Sequence, residues 1–377
     1  MLKKTLSFVT IAILFFTITA CQSSWQVEIL INGASSGFID DDLVSFYVEE
    51  IGDESSAIQL SHILYHHGFT LIDEVEFLWD DETKQSFGWE NIAEKTQIND
   101  KGELIIDGVA YSPDALDISP SHLASEIEFS IMDLAPTMAK VLGLPELPDA
   151  YGQPRSDIKK QHGVLILIDG LQYEKLDSLV KENALPFLGS IDVIHKGLTV
   201  YPSITTASTG ALLTSAPPYV NGVFGYGYRS TESKTLFDLA VEAGPSVTAV
   251  EGNSLAFGLQ NAEVILSGDR DGDGFTNDNV LDNSLRVIAE DMPDLLFIHF
   301  HDVDDQGHNY GPDSQEYEAA IFRVDGYLEQ IYQALPENTF ITIFADHGMQ
   351  NDPSSCGGNH GGLTKSAMII PIIFMEK

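Results

Sequence analysis

Continuous apolar runs, separated by helical segments, recur through the second half of the chain. They are VLILI (164–168), SVTAV (246–250), LLFIHF (295–300), TFITIFA (339–345) and MIIPIIF (368–374). Such runs are typical of strands buried on both faces, as in a parallel sheet covered by helices. Segments rich in Asp or Gly directly follow three of them, at 169–170, 302–308 and 346–348. The carboxyl ends of such strands form the ligand crevice, so we expect these acidic and histidine side chains to converge there.

The residues before this region follow a different pattern. Short alternating segments at 25–33, 73–79 and 102–108 indicate half-buried strands, and 58–69 has helical spacing. We therefore predict a small α+β module over 21–119 and a catalytic domain over 120–377. His62, His66 and His67 belong to the helical segment. We interpret them as solvated, the alternative being half of a metal site.

The first 21 residues predict export. Two lysines, at 3 and 4, precede an apolar run over 6–18, and small residues lead up to Cys21, so we expect a signal peptide over 1–20. Ile18-Thr19-Ala20-Cys21 resembles the lipobox of bacterial lipoproteins. The resemblance implies lipid attachment at Cys21 and an extracytoplasmic, membrane-anchored lipoprotein. A plain secretory signal or an uncleaved anchor are the alternatives.

Charge and composition narrow the classes of partner. The chain has 19 Lys+Arg against 57 Asp+Glu, a formal charge of −38. Such a surface repels phosphate backbones, so we expect no binding to nucleic acid polymers. The 44% hydrophobic content is that of an ordinary globular protein, and two cysteines rule out a disulfide scaffold.

Five motifs in the second half resemble those of the alkaline phosphatase superfamily, and within it the type I phosphodiesterase and nucleotide pyrophosphatase branch. In the family's order they are LILIDG (165–170), YPSITTAS (201–208), DDQGHNYGP (304–312), FADHGM (344–349) and NHGG (359–362). The resemblance implies an α/β fold, with an alkaline-phosphatase-like, mostly parallel sheet covered by helices on both faces. It also implies two divalent metal ions, one held by Asp304, His308 and His360 and a second by Asp169, Asp346 and His347.

The chemistry of these residues agrees with that assignment. Mixed carboxylate and imidazole ligands suit zinc, with manganese as the alternative. Asp304 and His308 are four apart, and we expect Gly307 to relax the backbone so that both face one ion. Asp346 and His347 are adjacent, so they can share an ion only where the chain turns, as Gly348 indicates.

The resemblance assigns the nucleophile to Thr205, which follows the Tyr201-Pro202 pair. Bound to the second ion, its hydroxyl could ionise near neutral pH without a histidine base. Thr206 is the main alternative, because a Ser/Thr cap for a helix starting near Ala207 accounts for at least one nearby hydroxyl.

The charges of this site favour a phosphodiester substrate. Three Asp ligands, two divalent ions and a Thr alkoxide sum to zero, so a diester brings one negative charge into a neutral site. Monoester-specific members of the superfamily normally use a guanidinium, and Arg229 is the only one of five arginines near the nucleophile segment. Tyr226 falls near the place of an oxyanion-binding Asn in the branch. Tyr226 and Arg229 are therefore the candidate substrate-binding residues.

Residues 130–154 resemble a helix and a following Pro- and Gly-containing segment. In this superfamily these two elements normally come after the His-Gly-Gly motif. Here they precede the first core strand. We interpret this order as a circular permutation, in which 120–160 form the displaced C-terminal part of the fold. An unrelated linker helix is the alternative.

An acidic segment over 269–280 has the spacing of a calcium loop. Oxygen ligands alternate along it and Gly274 occupies the sixth position, but the twelfth position is Val280 and not Glu. We predict structural calcium there, with a solvated acidic turn as the alternative. The expected ligands are Asp269, Asp271, Asp273, Phe275 through its carbonyl, and Asn277.

Taken together, these features predict a lipid-anchored phosphodiesterase or nucleotide pyrophosphatase that acts on a small-molecule phosphoester through a phosphothreonine at Thr205. A phosphomonoesterase or phosphotransferase using the same site is one alternative. A noncatalytic, metal-holding surface lipoprotein is the other.

Overall fold

The computed structural model describes residues 25–51, 56–255, 257–259, 262–352 and 354–377. The predicted signal peptide and Cys21 lie outside the described residues. Within them, no helix combines the length and the apolar character that crossing a bilayer requires.

Residues 26–120 form two small sheets and three short helices. One sheet has the strand order β2-β1-β9-β4-β5, in which only the β1–β9 pair is parallel, and the other is an antiparallel sheet ordered β3-β6-β7-β8. The strands are β1 (Gln26–Ile31), β2 (Ala34–Asp40), β3 (Ala57–Gln59), β4 (Ile72–Leu78), β5 (Lys84–Gly88), β6 (Thr96–Asn99), β7 (Leu104–Ile106), β8 (Val109–Tyr111) and β9 (Ala115–Pro120). The helices are α1 (Asp41–Ile51), α2 (Leu60–His66) and α3 (Trp89–Ile92).

The rest of the described chain forms one eight-stranded sheet, a two-stranded ribbon and nine α-helices. The strands are β10 (Phe129–Ser130), β11 (His162–Ile168), β12 (His195–Leu198), β13 (Val247–Glu251), β14 (Glu263–Leu266), β15 (Leu295–Phe300), β16 (Thr339–Phe344), β17 (Gln350–Asn351), β18 (Gly358–Asn359) and β19 (Ile369–Glu376). The helices are α4 (Leu134–Leu142), α5 (Tyr173–Lys181), α6 (Thr205–Thr214), α7 (Pro218–Asn221), α8 (Leu236–Ala243), α9 (Asn277–Glu290), α10 (Asp302–Tyr310), α11 (Gln315–Ala334) and α12 (Lys365–Met368).

The large sheet confirms the predicted fold class. Its order is β10-β12-β19-β16-β11-β15-β13-β14, and five of its seven pairings are parallel. Each predicted apolar run forms one of its strands, and β11, β15 and β16 lie side by side with their apolar side chains buried. The last run behaves differently, because β19 pairs antiparallel with both β12 and β16. The carboxyl ends of three adjacent parallel strands therefore meet at one edge.

Residues 130–154 are part of this fold. β10 pairs with β12, and α4 packs against α6, α8 and β11. A capping box between Ser130 and Asp133 precedes α4, and Gly143 ends the helix with a φ of +72°. Buried Asp133 also accepts hydrogen bonds from the Gln153 amide and from Arg155. The circular permutation and the domain boundary at 119/120 both stay predictions.

Candidate active site and metal centre

The six predicted ligands come together at the carboxyl ends of β11, β15 and β16. Asp169 directly follows β11, Asp346 and His347 lie just beyond β16, and α10 carries Asp304 and His308. His360 follows the short strand β18 and reaches the same place from a loop. Donor atoms of two overlapping groups lie within 4.8 Å of one another, and these groups are Asp304–His347–His360 and Asp169–Asp346–His347.

Helical spacing, and not a relaxed backbone, brings Asp304 and His308 together. Both lie on one face of α10, with His308 Nε2 3.4 Å from Asp304 Oδ2. Gly307 has a packing role instead, since a Cβ there would lie 2.7 Å from Met349 Cε. Gly170 leaves room for the Asp304 side chain, since a Cβ there would lie 2.7 Å from Asp304 Oδ1. Its φ of +68° also favours glycine.

The three histidines are held in the orientation that ligands need. Nδ1 of His308, His347 and His360 lies 3.1, 3.0 and 3.0 Å from the backbone carbonyls of Gly358, Gly348 and Ser203, respectively. A carbonyl only accepts, so each Nδ1 carries the proton and each neutral ring presents a lone pair at Nε2. Nε2 of His308 and Nε2 of His360 are 3.0 Å apart. Two facing lone pairs repel unless a positive charge lies near both.

The carboxylate oxygens of the cluster likewise lie close to other electron-rich atoms without a positive charge between them. Asp169 Oδ1, Asp304 Oδ1 and Asp346 Oδ2 are buried and have no hydrogen-bond partner in the part of the chain that the structure describes. His347 Nε2 lies 3.3 Å from both Asp169 Oδ1 and Asp346 Oδ2, and His360 Nε2 lies 3.6 Å from Asp304 Oδ1. Buried, unpaired anions are costly, and divalent cations would satisfy these oxygens and nitrogens together. The residues therefore fit the metal ions that the family resemblance implies.

The pKa values in the cluster reflect this crowding. Burial, then the charges of Asp169 and Asp346, hold the pKa of Asp304 well above its usual range. Burial and Asp169 raise the pKa of Asp346 to about 6, while burial and His347 lower the pKa of His360 to about 2. Without cations, the site therefore shifts the protonation equilibria of these three side chains toward their neutral forms.

Thr205 lies at the start of α6 with its side chain facing this cluster. Its Oγ1 is 3.3 Å from His347 Nε2. Thr206, the alternative nucleophile, is buried and its Oγ1 has no partner among the described residues. Of the two hydroxyls, the one that contacts the candidate metal ligands belongs to Thr205.

Only one of the two candidate substrate residues contacts the cluster. The Tyr226 hydroxyl lies 3.4 Å from His360 Nε2, and about half of the residue is exposed. Burial and Asp304 raise the pKa of this tyrosine. Arg229 is exposed, and its guanidinium donates to the Leu255 carbonyl instead.

The predicted calcium ligands are brought together in part. Asp269, Asp271 and Asp273 place carboxylate oxygens within 4.8 Å of one another on the surface. The Asn277 side chain is directed elsewhere, because its Oδ1 accepts from the His301 amide at 2.8 Å. Phe275 donates its amide to Asp273 and its ring packs under Arg323. Calcium at this loop stays a prediction.

Sequence reasoning missed a second buried network beside Asp169. His299, within β15, lies between Glu251 and Asp169, and His301 contacts the same two carboxylates. Burial lowers the pKa of His299, but Glu251 and Asp169 outweigh it and raise the pKa to about 10. Hydrogen bonds from His299 and His301 likewise outweigh burial at Asp169 and hold its pKa well below its usual range. The available signal was a histidine inside a strand that is otherwise apolar on both faces.

The sequence also gave no reason to expect His62 to pack, partly buried, among aromatic rings. Its ring packs edge-on against Tyr201 with centroids 4.8 Å apart, and lies 5.4 Å from that of Tyr47. Burial lowers its pKa to about 4. The prediction of a solvated His62 therefore holds only in part, because α2 packs against the segment that leads to Thr205.

A mostly parallel sheet with helices, and with this cluster at its strand ends, defines an α/β protein. Residues 260–355 match the model of the family described as type I phosphodiesterase / nucleotide pyrophosphatase. This match, over about a quarter of the chain, confirms the resemblance in the motifs. The matched segment contains Asp304, His308, Asp346 and His347.

Several characterised proteins are similar to parts of the chain. It is 38% identical over 69 residues to GPI ethanolamine phosphate transferase 3 of Eremothecium gossypii, covering 18% of this chain and 6% of that protein. It is 24% identical over 229 residues to the human GPI ethanolamine phosphate transferase 3, catalytic subunit. This match covers 53% of this chain and 20% of that protein. The chain thus spans a fifth or less of these two relatives.

Solved structures with partial similarity include phosphonoacetate hydrolase from Sinorhizobium meliloti in complex with phosphonoformate. Its TM-score is 0.40 at 17% identity, covering 50% of this chain and 57% of that one. Another is the C-terminal periplasmic domain of EcEptC from Escherichia coli in complex with Zn. Its TM-score is 0.41 at 16% identity, and the match covers 62% of this chain and 77% of that one.

Proposed function

We propose that this chain is a metal-dependent phosphodiesterase in which Thr205 is the nucleophile. The observation that carries the proposal is the position of Thr205 Oγ1, 3.3 Å from His347 Nε2, beside buried carboxylate oxygens that lack partners. We assign one ion to Asp304, His308 and His360 and a second to Asp169, Asp346 and His347. Zinc suits this donor set, with manganese as the alternative.

Two divalent ions bound there would lower the pKa of the Thr205 hydroxyl and neutralise charge on the phosphoryl oxygens. Thr205 Oγ forms a bond to phosphorus, the bond from phosphorus to the leaving oxygen breaks, and the departing alkoxide takes up a proton. Water then adds to phosphorus and Thr205 leaves, which returns its hydroxyl and yields a phosphomonoester. The net reaction is a diester plus water giving a monoester and an alcohol.

The positions of the arginines support a diester over a monoester. Each of the five guanidiniums contacts a group outside the cluster, so none is placed to hold the second negative charge of a monoester. Their partners are Asp133 for Arg155, the Leu255 carbonyl for Arg229, Ser267 and Asn283 for Arg270, Asn283 for Arg286, and the ring of Phe275 for Arg323.

The test compares hydrolysis of bis-p-nitrophenyl phosphate and p-nitrophenyl phosphate by the full chain in zinc or manganese. We expect faster diester cleavage by the wild type, at least 100-fold loss in Thr205→Ala, and retained activity in the matched control Thr206→Ala. With the diester, mass spectrometry of the quenched enzyme should find a p-nitrophenyl phosphoryl group on Thr205. Loss in Thr206→Ala alone would refute the assigned nucleophile. No turnover with either metal would favour the noncatalytic, metal-holding surface lipoprotein.

A phosphotransferase using the same site is the second candidate. The observation that favours it is the name of the relatives above, which are GPI ethanolamine phosphate transferases. The two functions differ in what accepts the phosphoryl group from Thr205, water or an alcohol. Adding an alcohol such as glycerol during diester turnover should leave hydrolysis dominant. Glyceryl p-nitrophenyl phosphate formed in excess of p-nitrophenyl phosphate would favour the transferase.

We also propose an extracytoplasmic location with lipid attachment at Cys21. This rests on the signal-like pattern of residues 1–20 and on the lipobox resemblance. Metabolic labelling with a palmitate analogue, compared between the wild type and Cys21→Ser, tests it. Equal labelling of the two proteins would refute attachment at Cys21.

A further inference from the structure

A buried imidazole links the candidate metal centre to a strand that carries none of its ligands. His299 is fully buried in β15, and its Nε2 lies 3.0 Å from Asp169 Oδ2. On its other side, Nδ1 lies 2.7 Å from Glu251 Oε2. Glu251 ends β13, and only 1% of it is exposed. Carboxylate, imidazole and carboxylate thus form one continuous chain across the ends of three adjacent strands, β11, β15 and β13.

His301 spans the same two carboxylates less closely. Its Nε2 lies 3.3 Å from Glu251 Oε2, and its Nδ1 lies 3.5 Å from Asp169 Oδ2. The two imidazoles lie against each other with centroids 3.7 Å apart and ring planes tilted by 33°. His299 makes the shorter contacts and is completely shielded from water, so it holds the Asp169 carboxylate more firmly than His301 does.

This network differs from the candidate metal centre in one respect. Around the centre, buried carboxylate oxygens lack partners, and Asp169 Oδ1 is one of them. Asp169 Oδ2, which faces His299, is hydrogen bonded, and Glu251 has no orphaned oxygen. Both nitrogens of His299 point at carboxylate oxygens, so each needs a proton to donate. The arrangement is that of a hydrogen-bonded network and not of a third cation site.

We propose that His299, held by Glu251, is a positioning residue for Asp169. By occupying Oδ2 it leaves Oδ1 as the single oxygen that Asp169 offers to an ion, and it fixes the direction of that oxygen. The proposal rests on the metal-dependent function above and deepens it. A one-oxygen ligand keeps the coordination number low, which leaves room for Thr205 and a substrate oxygen.

The test measures metal binding directly, without turnover. The full chain is stripped of metal, then titrated with zinc against a chelating dye, and in parallel loaded with cobalt for visible absorption. We expect two ions per wild-type chain. His299→Gln should weaken the binding of one ion about 10- to 100-fold, as loss of a partner behind a ligand typically does. The cobalt absorption should also fall, because a second Asp169 oxygen becomes free to bind and raises the coordination number.

Two further variants keep the test decisive. If His299→Gln does not fold, Glu251→Gln preserves shape and should show the same effects in weaker form. Glu263→Gln on the exposed, neighbouring strand β14 removes the same charge and should change nothing.

Three outcomes would overturn the proposal. They are unchanged zinc affinity and cobalt absorption in folded variants, a third ion in the wild type that His299→Gln loses, or no ion in the wild type. The last of these would also remove the metal-dependent function. Two ions with the expected weakening, but no phosphoester turnover, would refute the proposed function alone.

Discussion

Replacing Asp346 with Asn should stabilise the metal-free protein and yet abolish much of its stabilisation by zinc. Asp346 is fully buried, and its Oδ2 lies 3.3 Å from the Nε2 lone pair of His347. An amide keeps Oδ1 as the acceptor for the amides of Gly170 and His347, at 3.2 and 3.0 Å. Its NH₂ group can also donate to His347 Nε2, where two electron-rich atoms face each other in the wild type.

The pKa of Asp346 gives the magnitude. Burial, followed by the charge of Asp169, raises the pKa from 3.8 to about 6. That difference corresponds to about 3 kcal/mol in favour of the protonated side chain. Because the pKa is raised in the folded state, the metal-free wild type loses stability as the pH rises from about 4 through about 6. Asp346→Asn should therefore be about 3 kcal/mol more stable at pH 8 in chelator, with little difference near pH 4.

Urea unfolding of the full chain, followed by tryptophan fluorescence, measures these free energies in EDTA at both pH values and again in zinc at pH 8. Zinc should stabilise the wild type by mass action and the variant much less, because one ligand is missing. Asp192→Asn removes the same charge from an exposed position and serves as the control. A variant no more stable than the wild type in EDTA at pH 8, or stabilised equally by zinc, would refute the reasoning.

Three other predictions concern sites away from the ligands. Burial lowers the pKa of His62 to about 4. The free energy of unfolding of the wild type should therefore fall by up to about 3 kcal/mol as the pH falls from 6.5 to 4, and His62→Phe should remove this loss. Urea unfolding that shows the same pH dependence in both proteins would contradict the prediction. Trp89→Phe removes the indole N–H that donates to the Leu363 carbonyl at 2.7 Å. The loss should lower the free energy of unfolding by about 1–3 kcal/mol and weaken zinc binding through the adjoining loop. An unchanged melting temperature and zinc affinity would count against this prediction. Calcium should raise the melting temperature of the wild type but not of Asp271→Ala, and equal shifts would rule out the acidic loop as the site.

The sequence was most informative where a local pattern decides the structure. Doubly buried strands appear as uninterrupted apolar runs, and the residues that follow them lie at the sheet edge whatever the rest of the fold does. This is why the convergence of Asp169, Asp304 and Asp346 could be predicted. The direction of β19 could not be predicted in the same way, because an apolar run that is buried on both faces looks alike in parallel and antiparallel pairings.

Contacts between distant segments were beyond local patterns. Glu251 and His299 are 48 residues apart and meet only because β13 and β15 pair in one register. A single histidine in LLFIHF gives no indication of which carboxylates will flank it. His62 was misjudged for the same reason, since the aromatic residue that buries it, Tyr201, lies far along the chain.

The N-terminal sheets contact the segments that carry the site. His62 packs on Tyr201, four residues before Thr205, and Trp89 donates to the Leu363 carbonyl, three residues after His360. Glu90 also accepts from the amide of Lys365, the first residue of α12, just beyond this loop. The large sheet can fix Asp169 and Asp346 by itself, because they follow its central strands. Thr205 and His360 come from segments outside those strands, and residues 25–119 pack against both of these segments. We therefore expect the N-terminal region to be required for metal binding.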